Sequence, residues 1–81
     1  MTKLEEKLKE LGYEERDYIH KVFSKNLFPY LIFIKLENDK ISNYAINYCW
    51  FSISSQRDMD ELQQAFNIMQ KDLEELRMYE R

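Results

Sequence analysis

The chain has 81 residues, 44% of them apolar and 15% aromatic, with a formal net charge of −3. A chain of this length and composition forms one globular domain, residues 1–81, rather than a disordered segment. It excludes a cysteine zinc site or an internal disulfide, since Cys49 is the only cysteine, and a multi-histidine metal site, since His20 is the only histidine.

The first predicted element is a short helix at 3–11. Thr2 and Glu5 are spaced as a capping box, and Leu4, Leu8 and Leu11 form one apolar stripe. Gly12, the only glycine, follows where a helix end favours a left-handed residue. The amino terminus MTKLEEKLKEL is charged throughout and lacks the apolar core of a signal peptide. The longest apolar run, Leu27 to Ile34, contains Pro29 and is far short of the ~20 residues that span a bilayer. A soluble, cytoplasmic protein without a membrane partner is expected.

Three strands follow, at Tyr18–Ser24, Tyr30–Leu36 and Ile41–Ile53, all rich in aromatic or β-branched residues. Asn38 and Asp39 suit the turn between the second and third. The last element is a helix at 56–78, with Ser55 as N-cap and acids in its first turns. Its Met59, Leu62, Phe66, Met69, Leu73 and Leu76 recur at heptad spacing. The expected fold is α+β in the order α-β-β-β-α: a three-stranded antiparallel sheet with a short amino-terminal and a long carboxy-terminal helix.

Two hairpin registers compete. A two-residue turn pairs Glu37 with Lys40, Phe33 with Tyr44 and Leu31 with Ile46, and sets Tyr44, Tyr48 and Trp50 away from the Ile32/Ile34/Leu36 face. A three-residue turn pairs Ile34 with Ser42, Ile32 with Tyr44 and Tyr30 with Ile46, and the aromatic row joins the aliphatic core, leaving Leu31, Phe33, Ala45, Asn47, Cys49 and Phe51 opposite. Turn chemistry favours the first and matching of apolar faces the second; the balance leans to the buried row. A slip of one residue exchanges the two faces.

In either register neither sheet face is polar, so something covers the second face: the amino-terminal helix, a second copy, or a foreign partner. The long helix, about 35 Å at ~1.5 Å per residue, overhangs a strand of about 23 Å. Its Leu73, Leu76 and Tyr79 end must meet the short helix, another subunit or a target. The partner-binding candidates are therefore Leu31, Phe33, Tyr44, Asn47, Tyr48, Trp50, Leu73, Leu76 and Tyr79.

No catalytic set stands out. His20 and Cys49 lie on different predicted strands with no oxyanion turn nearby, and read as a sheet-surface residue and a small packing residue. Asp58, Asp60, Glu61, Asp72, Glu74 and Glu75 read as a solvated helix face. A single glycine excludes a phosphate-cradling loop. Tyr44, Tyr48 and Trp50 could stack bases, but four lysines scattered through residues 18–55 give no basic funnel. The expectation is a non-enzymatic protein that needs no cofactor or metal.

The run FSISSQRDMDELQQAFNIMQKDLEEL, Phe51 to Leu76, resembles the ends of small proteins from phages and prophages of low-GC Gram-positive bacteria. Ile, Asn, Lys, Tyr and Phe supply 31 residues and Gly, Ala, Pro and Arg only eight, which agrees with an A·T-rich genome. That group has no assigned activity, so no site residues carry over. The resemblance implies an accessory factor that binds or inhibits a host protein or a defence complex such as a CRISPR effector. A structural or regulatory homodimer and a weak single-strand nucleic-acid binder are the alternatives.

Overall fold

The computed structural model describes residues 2–49 and 55–80. Its elements are α1 (Lys3–Glu10), β1 (Glu14–Asp17), β2 (Val22–Leu27), β3 (Tyr30–Glu37), β4 (Lys40–Tyr48) and α2 (Gln56–Arg77). Both helix starts are capped as the sequence predicts. Thr2 Oγ1 accepts from the Glu5 amide at 3.2 Å, and Ser55 Oγ accepts from the Asp58 amide at 3.1 Å. Gly12, at φ 99°, turns the chain from α1 into the sheet.

Among the described residues the sheet is an antiparallel meander of four strands in the order β1-β2-β3-β4, not three. The single strand expected at Tyr18–Ser24 is a hairpin, with a turn at residues 18–21. Asp17 makes that turn: its Oδ1 accepts from the amides of Ile19 and His20 at 2.9 and 3.1 Å, and Lys21 takes φ 53°. β1 reads Glu-Glu-Arg-Asp and shows no apolar alternation, which is why it is invisible to periodicity. An edge strand can be this charged, and charge there discourages pairing with other chains.

The β3–β4 hairpin satisfies both competing demands. Asn38 and Asp39 have φ 53° and 61° and form a two-residue turn that pairs Glu37 with Lys40. A bulge between Lys35 and Leu36 then leaves Ser42 as an extra residue, and beyond it Ile34 pairs with Tyr44, Ile32 with Ile46 and Tyr30 with Tyr48. The turn is that of the first register; the division of faces is that of the second.

Helices cover one face only. Leu4 and Leu8 of α1 and Met69, Leu73 and Leu76 of α2 pack with Tyr13, Phe23, Ile32, Ile34 and Leu36 in one core. α1 therefore lies beside α2 and does not cover the second sheet face. That face carries Val22, Ser24, Leu31, Phe33, Ala45 and Asn47, by the pairing of the strands.

Candidate protein-interaction surface

Burial along α2 sets the surface. The heptad seam is continuous in sequence, yet Leu76 and Leu73 are 0% and 4% exposed while Phe66 and Met59 are 41% and 53% exposed. The carboxy-terminal half meets α1; the amino-terminal half meets the sheet through Tyr30 of β3 and the side of β4, and leaves Met59 and Phe66 exposed. The sequence left the Leu73, Leu76 and Tyr79 end to the short helix, another subunit or a target. α1 takes that end, so Leu73 and Leu76 are core residues rather than partner contacts. Tyr79 is exposed, with Lys7 Nζ 5.8 Å from its ring centroid.

A groove of about 480 Å³ runs between β4 and this bare half of α2, lined by Tyr44, Ala45, Ile46, Met59, Leu62, Gln63, Phe66 and Met69. Among the described residues Tyr44, 46% exposed, is the one sequence candidate that reaches it. Tyr48 is half-buried, its ring centroid 5.1 Å from that of Tyr30. The Tyr30 hydroxyl donates to the Asp58 carbonyl at 3.0 Å, tying this pair to the start of α2. Burial first pushes both Tyr30 and Tyr48 hydroxyls above their ordinary pKa; the neighbouring Tyr48 adds to this for Tyr30, and the carboxylates of Glu61 and Asp58 add for both.

Leu31, Phe33 and Asn47 come together on the opposite, helix-free face, with Leu31 and Phe33 half-buried and Asn47 exposed. A shallow concavity of about 300 Å³ lies there among Val22, Phe33, Lys35, Asn43 and Asn47. Lys35 Nζ is 3.4 Å from Glu37, and the Arg16 Nε donates to Ser24 Oγ at 2.6 Å. Trp50, like the expected strand residues 50–53, lies outside the described residues.

Three other expectations need correction. His20 sits in the β1–β2 turn, its Nδ1 2.7 Å from Asp17 Oδ2, rather than on the sheet. Cys49 is exposed rather than packed, its amide donating to the Pro29 carbonyl at 2.8 Å. His20 and Cys49 thus stand at opposite ends of β2, about 20 Å apart at ~3.4 Å per residue, too far for a nucleophile–base pair. Asp72 is buried, not part of a solvated face: it accepts from the Tyr13 hydroxyl at 2.9 Å and from Lys25 Nζ at 3.0 Å.

Sequence reasoning missed Met59 and Phe66 as surface residues. Their heptad spacing marked an apolar seam, and nothing local says where along it the cover stops. Among the described residues no three His, Cys, Asp or Glu side chains converge as metal ligands, and no helix is long and apolar enough to cross a membrane. Compared with protein-family models, curated proteins and solved structures, the chain matches none.

Proposed function

We propose that this protein is a non-enzymatic protein-binding module that docks a partner over the β4–α2 groove. The observation that carries the reading is the bare amino-terminal half of the α2 seam, where Met59 and Phe66 stand exposed beside Tyr44. Large apolar side chains grouped along a groove are characteristic of interaction sites. The resemblance of the last third of the chain to phage and prophage proteins makes a bacterial host or defence protein the partner to test, with inhibition as the expected consequence.

The test is capture from a lysate of a low-GC Gram-positive bacterium by tagged wild type, Phe66→Asp and Phe33→Asp. One stoichiometric partner, lost with Phe66→Asp and kept with Phe33→Asp at unchanged circular dichroism, supports the reading. Loss with Phe33→Asp alone moves the docking surface to the helix-free face. Capture insensitive to both removes both surfaces.

The second reading is a homodimer. Its support is β4, an edge strand whose residues from Ile41 to Cys49 include no charge, glycine or proline. Sedimentation would then give twice the 10.0 kDa chain mass.

A further inference from the structure

The helix-free face of the sheet is built around one ring. Phe33, on the inner strand β3, pairs with Ser24 of β2 on one side and Ala45 of β4 on the other. Side chains that small leave the ring reachable, and Phe33 is only half-buried, with no helix over it. The next pairs along the strands put Lys35 and Asn43 at one end of the ring, and Asn26 and Asn47 at the other. The concavity of about 300 Å³ lies at this ring, with Lys35, Asn43 and Asn47 on its walls. That volume is at the small end of ligand sites and leaves room for one flat group.

Two observations select the occupant. The first is that the polar groups around the ring are amides. Asn26 and Asn47 are exposed and have no hydrogen-bond partner among the described residues. Asn43 uses only its Oδ1, which accepts from the Tyr44 amide at 2.8 Å, so its NH2 group is free to donate. An apolar protein surface laid on this face would strip water from three amides and offer them nothing. A nucleobase stacks its face on an aromatic ring while its edge presents both donors and acceptors to amides. The second observation is charge. Lysines that look scattered in sequence are sorted by strand alternation. Arg16, Lys35 and Lys40 lie on this face against Glu14 and Glu37, a basic excess on a chain whose net charge is −3. Phosphate is drawn to this side of the molecule and repelled by the acidic helices.

We infer that the helix-free face binds single-stranded nucleic acid. One base stacks on Phe33, its edge meets the amides of Asn43 and Asn47, and the flanking phosphates meet Lys35 and Arg16. A duplex is excluded because its base faces are hidden. The site lies on the other side of the sheet from the β4–α2 groove and goes beyond the protein-binding reading.

The probes are RNA hexamers of adenine and of uracil, titrated into the full chain at low salt. Binding is followed by NMR of the Phe33 ring and the asparagine side-chain amides. A base-paired duplex and inorganic tripolyphosphate are the controls. The expected result is shifts at Phe33, Asn43 and Asn47, with a hexamer binding at least roughly tenfold tighter than either control. Phe33→Leu should weaken binding roughly tenfold, the lower end of what one stacked base contributes. Lys35→Gln should lower the slope of log affinity against log salt by about 0.7, the loss of one single-strand phosphate contact. Asn47→Ala, at an exposed position, should also weaken binding, and it decides the matter if circular dichroism shows Phe33→Leu unfolded. No shifts at millimolar hexamer, equal binding of duplex or tripolyphosphate, shifts confined to Met59 and Phe66, or wild-type affinity in folded Phe33→Leu or in Asn47→Ala overturns the inference. So does a lysate partner that is lost with Phe33→Asp and survives nuclease treatment, which gives this face to a protein. The two readings fail separately: Phe66→Asp tests the groove, and the hexamers test this face.

Discussion

The Tyr13 hydroxyl donates to Asp72 Oδ2 at 2.9 Å, joining the loop after α1 to the last helix across 59 positions of chain. Lys25 Nζ lies 3.0 Å from the same oxygen and 5.4 Å from the Tyr13 ring centroid. One carboxylate thereby ties together α2, β2 and the turn out of α1. Removing it leaves a largely buried lysine and a buried hydroxyl without their acceptor. Asp72→Ala should cost about 2–3 kcal/mol in urea unfolding, and Tyr13→Phe about 1 kcal/mol. A change below about 0.5 kcal/mol for Asp72→Ala would show that the triad does not hold the fold.

The same contact predicts alkaline behaviour. Burial first, then the hydrogen bond and the charge of Asp72, raise the Tyr13 hydroxyl well above its ordinary pKa of 10.0. The folded form therefore keeps its proton where the unfolded form loses it. This contribution to stability is fully present below about pH 10 and declines as the pH rises beyond. The fall in unfolding free energy between pH 9.5 and 11 should be smaller in Tyr13→Phe, with wild type measured alongside to account for the other tyrosines.

The burial gradient along α2 separates two residues with the same sequence signature. Leu76→Ala empties a fully buried site and should cost about 3 kcal/mol. Met59→Ala removes a half-exposed side chain and should cost less than about 1 kcal/mol. Chemical denaturation of the pair checks this; equal losses would mean the amino-terminal half of the seam is covered.

In the β1–β2 turn, Asp17 is held below its ordinary pKa by the hydrogen bond from the His20 ring, then by the backbone amides of His20 and Ile19. A lowered carboxylate value means the turn is supported at pH above the ordinary value of 3.8 and loses that support as the pH falls through the lowered one. Carboxyl-carbon NMR should show Asp17 titrating below its ordinary value of 3.8, and His20→Ala should move it up. An Asp17 titration unchanged by His20→Ala would dismiss the side-chain bond.

Ser42 is surplus to the strand pairing, so its removal should be tolerated. Deleting it leaves Ile41, Asn43 and Tyr44 in strict alternation on the faces they already occupy. Stability should change by less than about 1 kcal/mol, with Tyr44 still packed beside Phe66 in nuclear Overhauser contacts. Unfolding on this deletion would show that the bulge itself is required.

The exposed Cys49 thiol should react with a thiol reagent in native buffer nearly as fast as in denaturant, one equivalent per chain. Slow labelling that denaturant accelerates would place it inside a packed site.

The sequence by itself determined what is decided within a few residues. Thr2 and Ser55 cap their helices because a hydroxyl there meets an orphan amide three residues on. Asn38 and Asp39 turn the hairpin because both tolerate positive φ, and Leu4, Leu8, Leu73 and Leu76 are apolar at helical spacing wherever they end up. Only the tertiary structure decided which apolar residues are covered. Leu76 and Met59 carry the same heptad signature, and α1 packs against one end of the seam alone. Asp72 looks like its acidic neighbours until Tyr13 and Lys25, distant in sequence, arrive beside it. The Ser42 bulge settles a conflict between turn chemistry and face matching that local residues pose and cannot resolve, because its benefit lies in packing Tyr44 and Ile46 on the helix side. β1 forms for a related reason: four charged residues become a strand because β2 offers a free edge, a partner that no local pattern records.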